Sequence, residues 1–320
     1  MPTSNQNSSS ETRPVIIIGG PTASGKSATA LEIAEKHNGV IINADSIQLY
    51  KDLPLLTAHP DAAELSAALH KLYGFMPADK KTDAQEWRNI AIKECHAAHE
   101  NGQCPILVGG TGFYLKTMIE GLSPVPSSPA DIREKVTAHM NEVGVEAFSK
   151  ELVEKDPKIV GKVDLNNPMR LMRAAEVLEA TGKSIVDWQS LPKSGAPKGL
   201  KFYSIFIIPE RARLHDRCNR RFHMMIEEGA IDQVKDFNER TGAWKNPQNF
   251  PVTRAIGYTH ISDYLDGAIA LDDAIEKSQA ETRQYAKRQI TWFNNQIKPN
   301  AYIENPKDGI PADLSDFLKT

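Results

Sequence analysis

The chain has 320 residues, of which 40% are hydrophobic and 25% are charged, and its formal net charge is −3. This ordinary globular composition excludes collagen-like, coiled-coil and wholly disordered chains, and the length allows one large domain or two modest ones. No apolar run approaches the roughly 20 residues that a membrane helix needs, and three cysteines cannot build a disulfide framework, so we expect a protein of the reducing cytoplasm without a membrane partner.

Strands and helices alternate along the first part of the chain. Short apolar runs predict buried strands at residues 15–18, 40–42 and 105–108. Helical periodicity predicts a helix at residues 27–37, and a capping box at residues 82–85 starts another. Continuous apolar strands separated by helices indicate a parallel sheet that is covered on both faces, with the carboxyl ends of its strands along one crevice.

Two proline-containing segments divide the chain, at residues 123–129 and 190–199. Helical periodicity fills the stretch between them, whereas residues 202–208 return to a strand that is followed by helices. We therefore predict a disordered tail at residues 1–13, a discontinuous α/β core with C-terminal helices at residues 14–130 and 196–310, and an all-helical insertion domain at residues 131–195.

The strongest chemical signal is the segment Gly-Pro-Thr-Ala-Ser-Gly-Lys-Ser at residues 20–27, between the first strand and the first helix. It matches the phosphate-loop pattern, in which backbone N–H groups surround phosphate oxygens and the helix N-terminus adds its dipole. Lys26 supplies a positive charge, and the Ser27 hydroxyl suits a metal ion such as Mg²⁺. The sequence thus predicts a phosphate-loop NTPase-like parallel sheet flanked by helices, with a phosphate site made of Gly20, Pro21, Thr22, Ala23, Ser24, Gly25, Lys26 and Ser27.

Two further segments follow the second and third predicted strands. Asp45 follows the second strand, which places its carboxylate beside the phosphate loop. Three roles stay open for this carboxylate: a metal ligand through water, a general base, or the N-cap of a helix that begins at Ser46. The third strand ends in Gly-Gly-Thr-Gly at residues 109–112, which lets a substrate approach the backbone closely; the alternative is a tight turn capped by Thr111.

These segments and three later ones resemble the tRNA dimethylallyltransferase family, also called tRNA isopentenyltransferases. The later segments are Asn-Pro-x-Arg-x-x-Arg-Ala-x-Glu-Val at residues 167–177, Arg-Ala-Ile-Gly-Tyr at 254–258, and Thr-Arg-Gln-Tyr-Ala-Lys-Arg-Gln-x-x-Trp at 282–292. The resemblance covers about residues 14–295 in order, and without a Cys/His zinc-finger pattern the chain is similar to the bacterial form.

The resemblance implies an enzyme that transfers a dimethylallyl group from dimethylallyl diphosphate to N6 of adenosine 37, beside the tRNA anticodon, with the help of Mg²⁺. The phosphate loop and Arg217 then hold the donor diphosphate, and Ser27 holds the metal ion. Asp45 is implied to be the general base, with Thr111 and Lys26 as further catalytic residues. The helical insertion helps grip the anticodon arm, and we expect a monomer. The residues that the resemblance assigns to tRNA binding are Asp45, Ser46, Ile47, Gln48, Thr111, Arg133, Met169, Arg170, Leu171, Met172, Arg173, Arg254, Ala255, Ile256, Gly257, Tyr258, Thr259, Lys287, Arg288, Gln289 and Trp292.

Some alternatives stay open at this point. Five arginines lie within residues 211–221, which fits contact with a polyanion, a solvated helix face, or the lid of a small-molecule kinase. A phosphate-loop regulator that binds RNA without chemistry is the other rival class, and the glycine-ended third strand argues against the kinase. Arg170 and Arg173 could pair with nearby glutamates, Glu176 or Glu179, instead of tRNA phosphates.

Two positions depart from the family pattern. The usual Gly-Thr-Ala-Lys-Pro stretch reads Leu-Thr-Ala-His-Pro at residues 56–60, and Thr259 stands where a basic residue is usual. Each departure reduces the positive charge near the expected tRNA path.

Overall fold

The computed structural model describes residues 12–319 of the chain. The tail predicted at residues 1–13 therefore falls almost wholly outside the described residues. At its end the prediction is wrong by one residue, because Arg13 already belongs to the first strand.

Within residues 12–319, six strands form one sheet in which every neighbouring pair is parallel. In chain order the strands are β1 (Arg13–Gly19), β2 (Gly39–Asn43), β3 (Leu69–Lys71), β4 (Cys104–Gly109), β5 (Leu200–Ile207) and β6 (Ala301–Ile303). Their order across the sheet is β3-β2-β4-β1-β5-β6. The carboxyl ends of β2, β4 and β1 are thus neighbours, which places the segments that follow them at one edge of the sheet.

Helices lie between and after these strands in the chain. In chain order they are α1 (Lys26–His37), α2 (Pro54–Thr57), α3 (Ala62–Ala67), α4 (Ala84–Glu100), α5 (Gly112–Glu120), α6 (Ala130–Lys155), α7 (Pro168–Thr181), α8 (Ile185–Gln189), α9 (Arg211–Glu227), α10 (Ala230–Thr241), α11 (Tyr258–Leu265), α12 (Leu271–Gln296) and α13 (Leu314–Lys319). In the part of the chain that the structure describes, no helix is both long enough and apolar enough to cross a membrane.

The sheet is buried on both faces, as the apolar strands predict. Ile16 and Ile18 pack on one face with Ile33 of α1, whereas Ile17 packs on the other face with Trp87 of α4. Successive strand residues point to opposite faces, so a run without polar residues is what a doubly covered strand requires. The predicted fold class is confirmed.

The chain divides into two compact units, and the smaller one spans Glu120–Gly195. Its helices α6, α7 and α8 enclose their own apolar core, which includes Phe148, Leu171 and Val177. α6 is broken at Gly144, whose backbone is left-handed (φ 78°). The unit begins before residue 131, where the insertion was expected, because the segment ahead of α6 bonds to α7: the Arg173 guanidinium donates to Ser128 Oγ at 2.8 Å and to the Pro126 carbonyl at 2.8 Å.

The larger unit contains elements that the apolar pattern does not predict. The outer strands β3 and β6 have three residues each. The core also continues past residue 310, because Leu314 of α13 is fully buried and Phe317 packs against Tyr203 of β5. The N-cap of α4 is Asp83, which accepts from the Glu86 N–H at 2.9 Å, so the predicted capping box was one residue early.

Candidate active site

The phosphate loop runs from Gly20 to Gly25, between β1 and α1. Gly20 has φ 150°, and a Cβ placed there would lie 2.3 Å from the carbonyl oxygen of Ile207, so only glycine fits. The Ser24 N–H donates to the Pro21 carbonyl at 3.3 Å and closes the loop on itself. The exposed Ser27 lies in the first turn of α1. The loop is therefore shaped in the way that the sequence pattern predicts for an anion site.

Lys26 lies over this loop and close to a carboxylate. Its Nζ donates to the Pro21 carbonyl at 2.7 Å. Burial lowers the pKa of Lys26 to about 8, while the nearby Asp45 carboxylate acts in the opposite direction and the Arg221 guanidinium lowers it further. The ammonium group thus keeps its charge at neutral pH in a site where positive charge is concentrated.

Two arginines of α9 reach the phosphate loop. Arg217 Nη1 donates to the Ser24 carbonyl at 3.1 Å, so its guanidinium lies at the phosphate loop. Arg221 donates to the hydroxyl of Thr22, and burial lowers the pKa of its guanidinium. Arg221 is absent from the sequence-based site, although it lies four residues after Arg217 and so on the same helix face. That spacing is the signal that could have found it.

A buried asparagine holds Asp45 in place. The Asp45 N–H donates to Asn43 Oδ1 at 2.8 Å, and Asn43 Nδ2 donates to the carbonyls of Asp45 at 3.1 Å and Leu72 at 3.0 Å. The Asp45 carboxylate accepts from the Ile47 N–H at 3.1 Å. Because residues 46–49 form bends and a turn rather than a helix, the helix N-cap alternative for Asp45 is wrong. The general-base and metal roles stay open on geometry.

Thr111 joins the Asp45 loop to the glycine-rich turn after β4. The Ser46 N–H donates to Thr111 Oγ1 at 3.0 Å, and this hydroxyl lies 3.3 Å from Ser46 Oγ. A Cβ on Gly110 would lie 3.2 Å from Asp45 Oδ2, so the turn passes directly beside the carboxylate. The Thr111 side chain therefore connects two loops of the site, which the alternative of a helix cap does not explain.

Gln289 lies inside this site rather than on the surface. It is only 5% exposed, its Oε1 accepts from the Thr22 N–H at 2.8 Å, and its Nε2 donates to the Gly110 carbonyl at 2.9 Å. The expected tRNA contact of this side chain does not agree with its burial. Trp292, one turn further along α12, is half-buried against Gly112.

The remaining tRNA-binding candidates of the larger unit separate into exposed and buried side chains. Arg254, Thr259, Lys287 and Arg288 are exposed, and Ile47 and Ile256 are partly exposed. Ala255, Gly257 and Tyr258 are buried, and the Tyr258 hydroxyl donates to Asn238 Oδ1 at 2.6 Å. Their assignment to tRNA contact through their side chains is therefore corrected, because these side chains pack in the core of the larger unit.

Gln48 and His59 form part of the same loop region. Gln48 Nε2 donates to the carbonyls of Thr57 at 2.9 Å and Ala58 at 2.6 Å, so this amide holds the segment in which the sequence departs from the family pattern. Burial lowers the pKa of His59, which keeps its imidazole neutral at neutral pH. The departure thus removes a positive charge from this loop.

In the helical unit Arg173 differs from the other two arginine candidates, Arg133 and Arg170. Arg170 is exposed, as are Arg133 and Met169, and Met172 is partly exposed. Leu171 is fully buried in the core of the unit, so its assignment to tRNA contact is corrected. Arg173 bonds within the unit and lies 3.5 Å from Glu176 Oε2, which is the intramolecular alternative raised above.

The structure combines a parallel sheet, a phosphate loop with one lysine and two arginines, and a carboxylate that follows β2. These features define a phosphate-loop α/β protein with an anion site beside a carboxylate. Comparison with known proteins identifies the family within this class. Residues 48–296 match the family described as IPP transferase. The chain is 43% identical over 288 residues to the tRNA dimethylallyltransferase of Paramagnetospirillum magneticum, with 90% of each chain covered. It is 42% identical over 282 residues to that of Agrobacterium fabrum, with 88% of this chain and 93% of the relative covered.

Solved structures agree with these relatives. The full-length tRNA isopentenylpyrophosphate transferase of Bacillus halodurans aligns with 31% identity and a TM-score of 0.64, over 97% of this chain and 94% of that chain. A eukaryotic dimethylallyltransferase acting on tRNA aligns with 25% identity and a TM-score of 0.77, over 95% of this chain and 77% of that chain. The chain belongs to the IPP transferase family and is a prenyl-transferring enzyme. The resemblance that its motifs carry is confirmed.

Proposed function

We propose that this chain transfers a dimethylallyl group from dimethylallyl diphosphate to N6 of adenosine 37 in tRNA and so forms N6-isopentenyladenosine. Family membership supports the reaction, because the curated relatives are tRNA dimethylallyltransferases. The observation that carries the proposal is the Asp45 loop, which Asn43 fixes beside a phosphate loop. A donor diphosphate and a proton acceptor therefore meet in one crevice.

The donor diphosphate binds to the phosphate loop. Its oxygens take the place of water around the loop amides, Lys26, Arg217 and Arg221. When the bond between the allyl carbon and the diphosphate oxygen breaks, negative charge grows on the leaving group. Fixed positive charges aimed at that position stabilise the transition state more than the ground state.

The oxygen donors of this site suit Mg²⁺. The exposed Ser27 hydroxyl in the first turn of α1 is a hard ligand, and the donor supplies phosphate oxygens, the combination that this ion prefers in phosphate-loop proteins. We infer that Ser27 holds the ion. When bound, Mg²⁺ neutralises part of the diphosphate charge and so favours its departure.

The acceptor amine needs help from a base. The N6 lone pair of adenine is delocalised into the ring, so the amine is a weak nucleophile. As N6 bonds to the allyl carbon, the electron pair of the carbon–oxygen bond leaves with the diphosphate, and the N6 proton passes to the Asp45 carboxylate. Thr111 orients this step through the Ser46 backbone. The base must leave its stack to enter the crevice.

We infer that the tRNA partner is held by its anticodon arm. Both units carry exposed basic side chains that suit contact with phosphates. They are Arg254, Lys287 and Arg288 in the larger unit and Arg133 and Arg170 in the helical unit.

The three cysteines are free thiols, which supports a reducing cytoplasmic location. We also propose that one monomer carries the complete site.

The test is to incubate the enzyme with unfractionated tRNA, Mg²⁺ and dimethylallyl diphosphate, and to analyse the digested nucleosides by mass spectrometry. We expect N6-isopentenyladenosine, with the modification at position 37 in the sequenced fragments. ATP in place of the allyl donor should give no modified nucleoside. Formation of ADP with ATP, and of no isopentenyladenosine with the allyl donor, would overturn the proposed reaction.

A further inference from the structure

Two loops of the proposed site are joined by a single side chain. The phosphate loop binds the donor, and the turn after β4 lies beside Asp45. The Gln289 amide accepts from the Thr22 N–H of the first loop at 2.8 Å and donates to the Gly110 carbonyl of the second at 2.9 Å. A buried amide that uses both its acceptor and its donor fixes the separation of the two groups that it joins.

Each of the two loops that Gln289 joins also contacts a further residue of the proposed site. On the donor side, the Thr22 hydroxyl accepts a hydrogen bond from the Arg221 guanidinium. On the acceptor side, Gly110 precedes Thr111, whose hydroxyl holds Ser46. A change at Gln289 would therefore reach the groups around both substrates without a contact to either.

The packing and hydrogen bonds at position 289 fit glutamine better than glutamate or asparagine. A Cβ on Gly110 would lie 2.3 Å from Gln289 Nε2, so the turn passes against the amide without space for a side chain. Glutamate has the same shape but no N–H to give to the Gly110 carbonyl, and asparagine is one methylene too short to reach both loops.

We propose that Gln289 is a positioning residue that sets the separation between the phosphate loop and the turn after β4, which lies beside Asp45, rather than a tRNA-binding residue. The inference rests on the proposed function, because the separation matters only if both loops take part in one reaction. α12 also carries the exposed Lys287 and Arg288, so the helix that presents these cations to solvent is the helix that fixes the two loops.

The test uses Gln289→Met, which keeps the length and apolar bulk and removes both hydrogen bonds, and Gln289→Glu, which keeps the acceptor alone. Asn294→Ala is the matched control, since Asn294 is exposed on the same helix. With both substrates saturating, we expect the single-turnover rate to fall by about 10- to 100-fold in Gln289→Met, because a displacement of about 1 Å can cost 100-fold. The rate should fall by at least as much in Gln289→Glu, because a buried carboxylate oxygen would face the Gly110 carbonyl oxygen. The dissociation constant for tRNA should stay within about twofold of the wild type, whereas the loss of a side-chain contact to RNA would raise it.

A second measurement does not depend on prenyl transfer. Amide hydrogen exchange of the peptide that contains Thr22 should become faster in Gln289→Met and stay unchanged in Asn294→Ala, because the Thr22 N–H loses its partner. Unchanged exchange, or an unchanged single-turnover rate, would overturn the inference. A rate that is restored by a higher tRNA concentration would also overturn it and favour a tRNA contact. If the wild type formed no isopentenyladenosine, the proposed function would fail separately. The hydrogen-exchange measurement would still show whether Gln289 holds the Thr22 N–H.

Discussion

Replacement of Asp45 by Asn tests the base with little disturbance of the site around it. Asparagine has the size of aspartate and keeps an oxygen that accepts from the Ile47 N–H, which lies 3.1 Å from the carboxylate in the wild type. The main chain of residue 45 stays bonded to Asn43 on both sides. The change therefore removes the proton acceptor and its charge while the loop keeps its position.

The size of the effect follows from what is retained. Since the loop stays in place, the orientation of the substrates is preserved and only the base contribution is lost. That contribution is typically about 10²- to 10⁴-fold in rate, which corresponds to about 2.7 to 5.4 kcal/mol of barrier at 1.36 kcal/mol for each factor of ten. A loss well above this range would mean that the loop itself has moved.

The assay is a single turnover with enzyme in excess over tRNA and both substrates saturating, with binding of each substrate measured separately. Asp79→Asn serves as the control, since Asp79 is an exposed carboxylate between β3 and α4. We expect Asp45→Asn to bind inorganic diphosphate and tRNA and to react slowly. A single-turnover rate within about fivefold of the wild type would refute the base role, because a general base typically contributes at least about 10²-fold. Loss of diphosphate binding, found only with Mg²⁺ present, would instead indicate the metal role.

Three further predictions concern the support of the site and the tRNA contacts. Asn43→Asp keeps the acceptor for the Asp45 N–H but removes the donor to the buried Leu72 carbonyl and the partly buried Asp45 carbonyl. Each lost partner costs about 1–3 kcal/mol, so the free energy of unfolding in urea should fall by about 2–6 kcal/mol, and a fall below about 1 kcal/mol would contradict this role of Asn43. Lys26 has a pKa of about 8, so its charge is present below that pH and lost above it. The affinity for inorganic diphosphate should therefore fall above pH 8, by at most about tenfold per pH unit. A constant affinity up to pH 9.5 would contradict a role of the Lys26 charge in binding. Arg170→Ala should weaken tRNA binding and reduce its salt slope by about one unit, whereas Arg173→Ala should lower the melting temperature and leave the slope unchanged; the reverse pattern would restore Arg173 to the tRNA surface.

The central strands could be predicted because their burial is recorded locally in the sequence. A strand covered on both faces needs an unbroken apolar run, and β1 and β2 supply one each. The outer strands could not be predicted in this way. β3 and β6 have only three residues, and the burial pattern of β3 shows that no residue of it is fully buried. An edge strand forms because a neighbouring strand offers free hydrogen-bonding groups, which is a property of the assembled sheet.

The residues of the site also separate into those that a local sequence pattern predicts and those that only the fold brings together. The phosphate loop is contiguous in sequence, so its pattern alone predicts it, and Asp45 follows from its place after β2. Arg221 has a signal only in its helical spacing from Arg217. Asn43 could not be assigned in the same way, since it acts on groups that only the folded chain brings near. Asn43 stands two residues before Asp45 in the sequence, but its role depends on the Leu72 carbonyl from another loop. Such residues are recognised by their hydrogen bonds and not by their spacing.

The motif on α12 shows why a sequence signature is broader than a binding surface. Successive helical residues point about 100° apart, so a continuous stretch of eleven residues necessarily faces several directions. In this helix Lys287 and Arg288 point to solvent, while Gln289 is buried between the two loops. On the proposed assignments, one stretch of this helix carries both the cations that face the tRNA and the side chain that aligns the two loops. The resemblance assigns Gln289 to tRNA contact together with Lys287, Arg288 and Trp292. This merges the two tasks, and the direction of each side chain separates them.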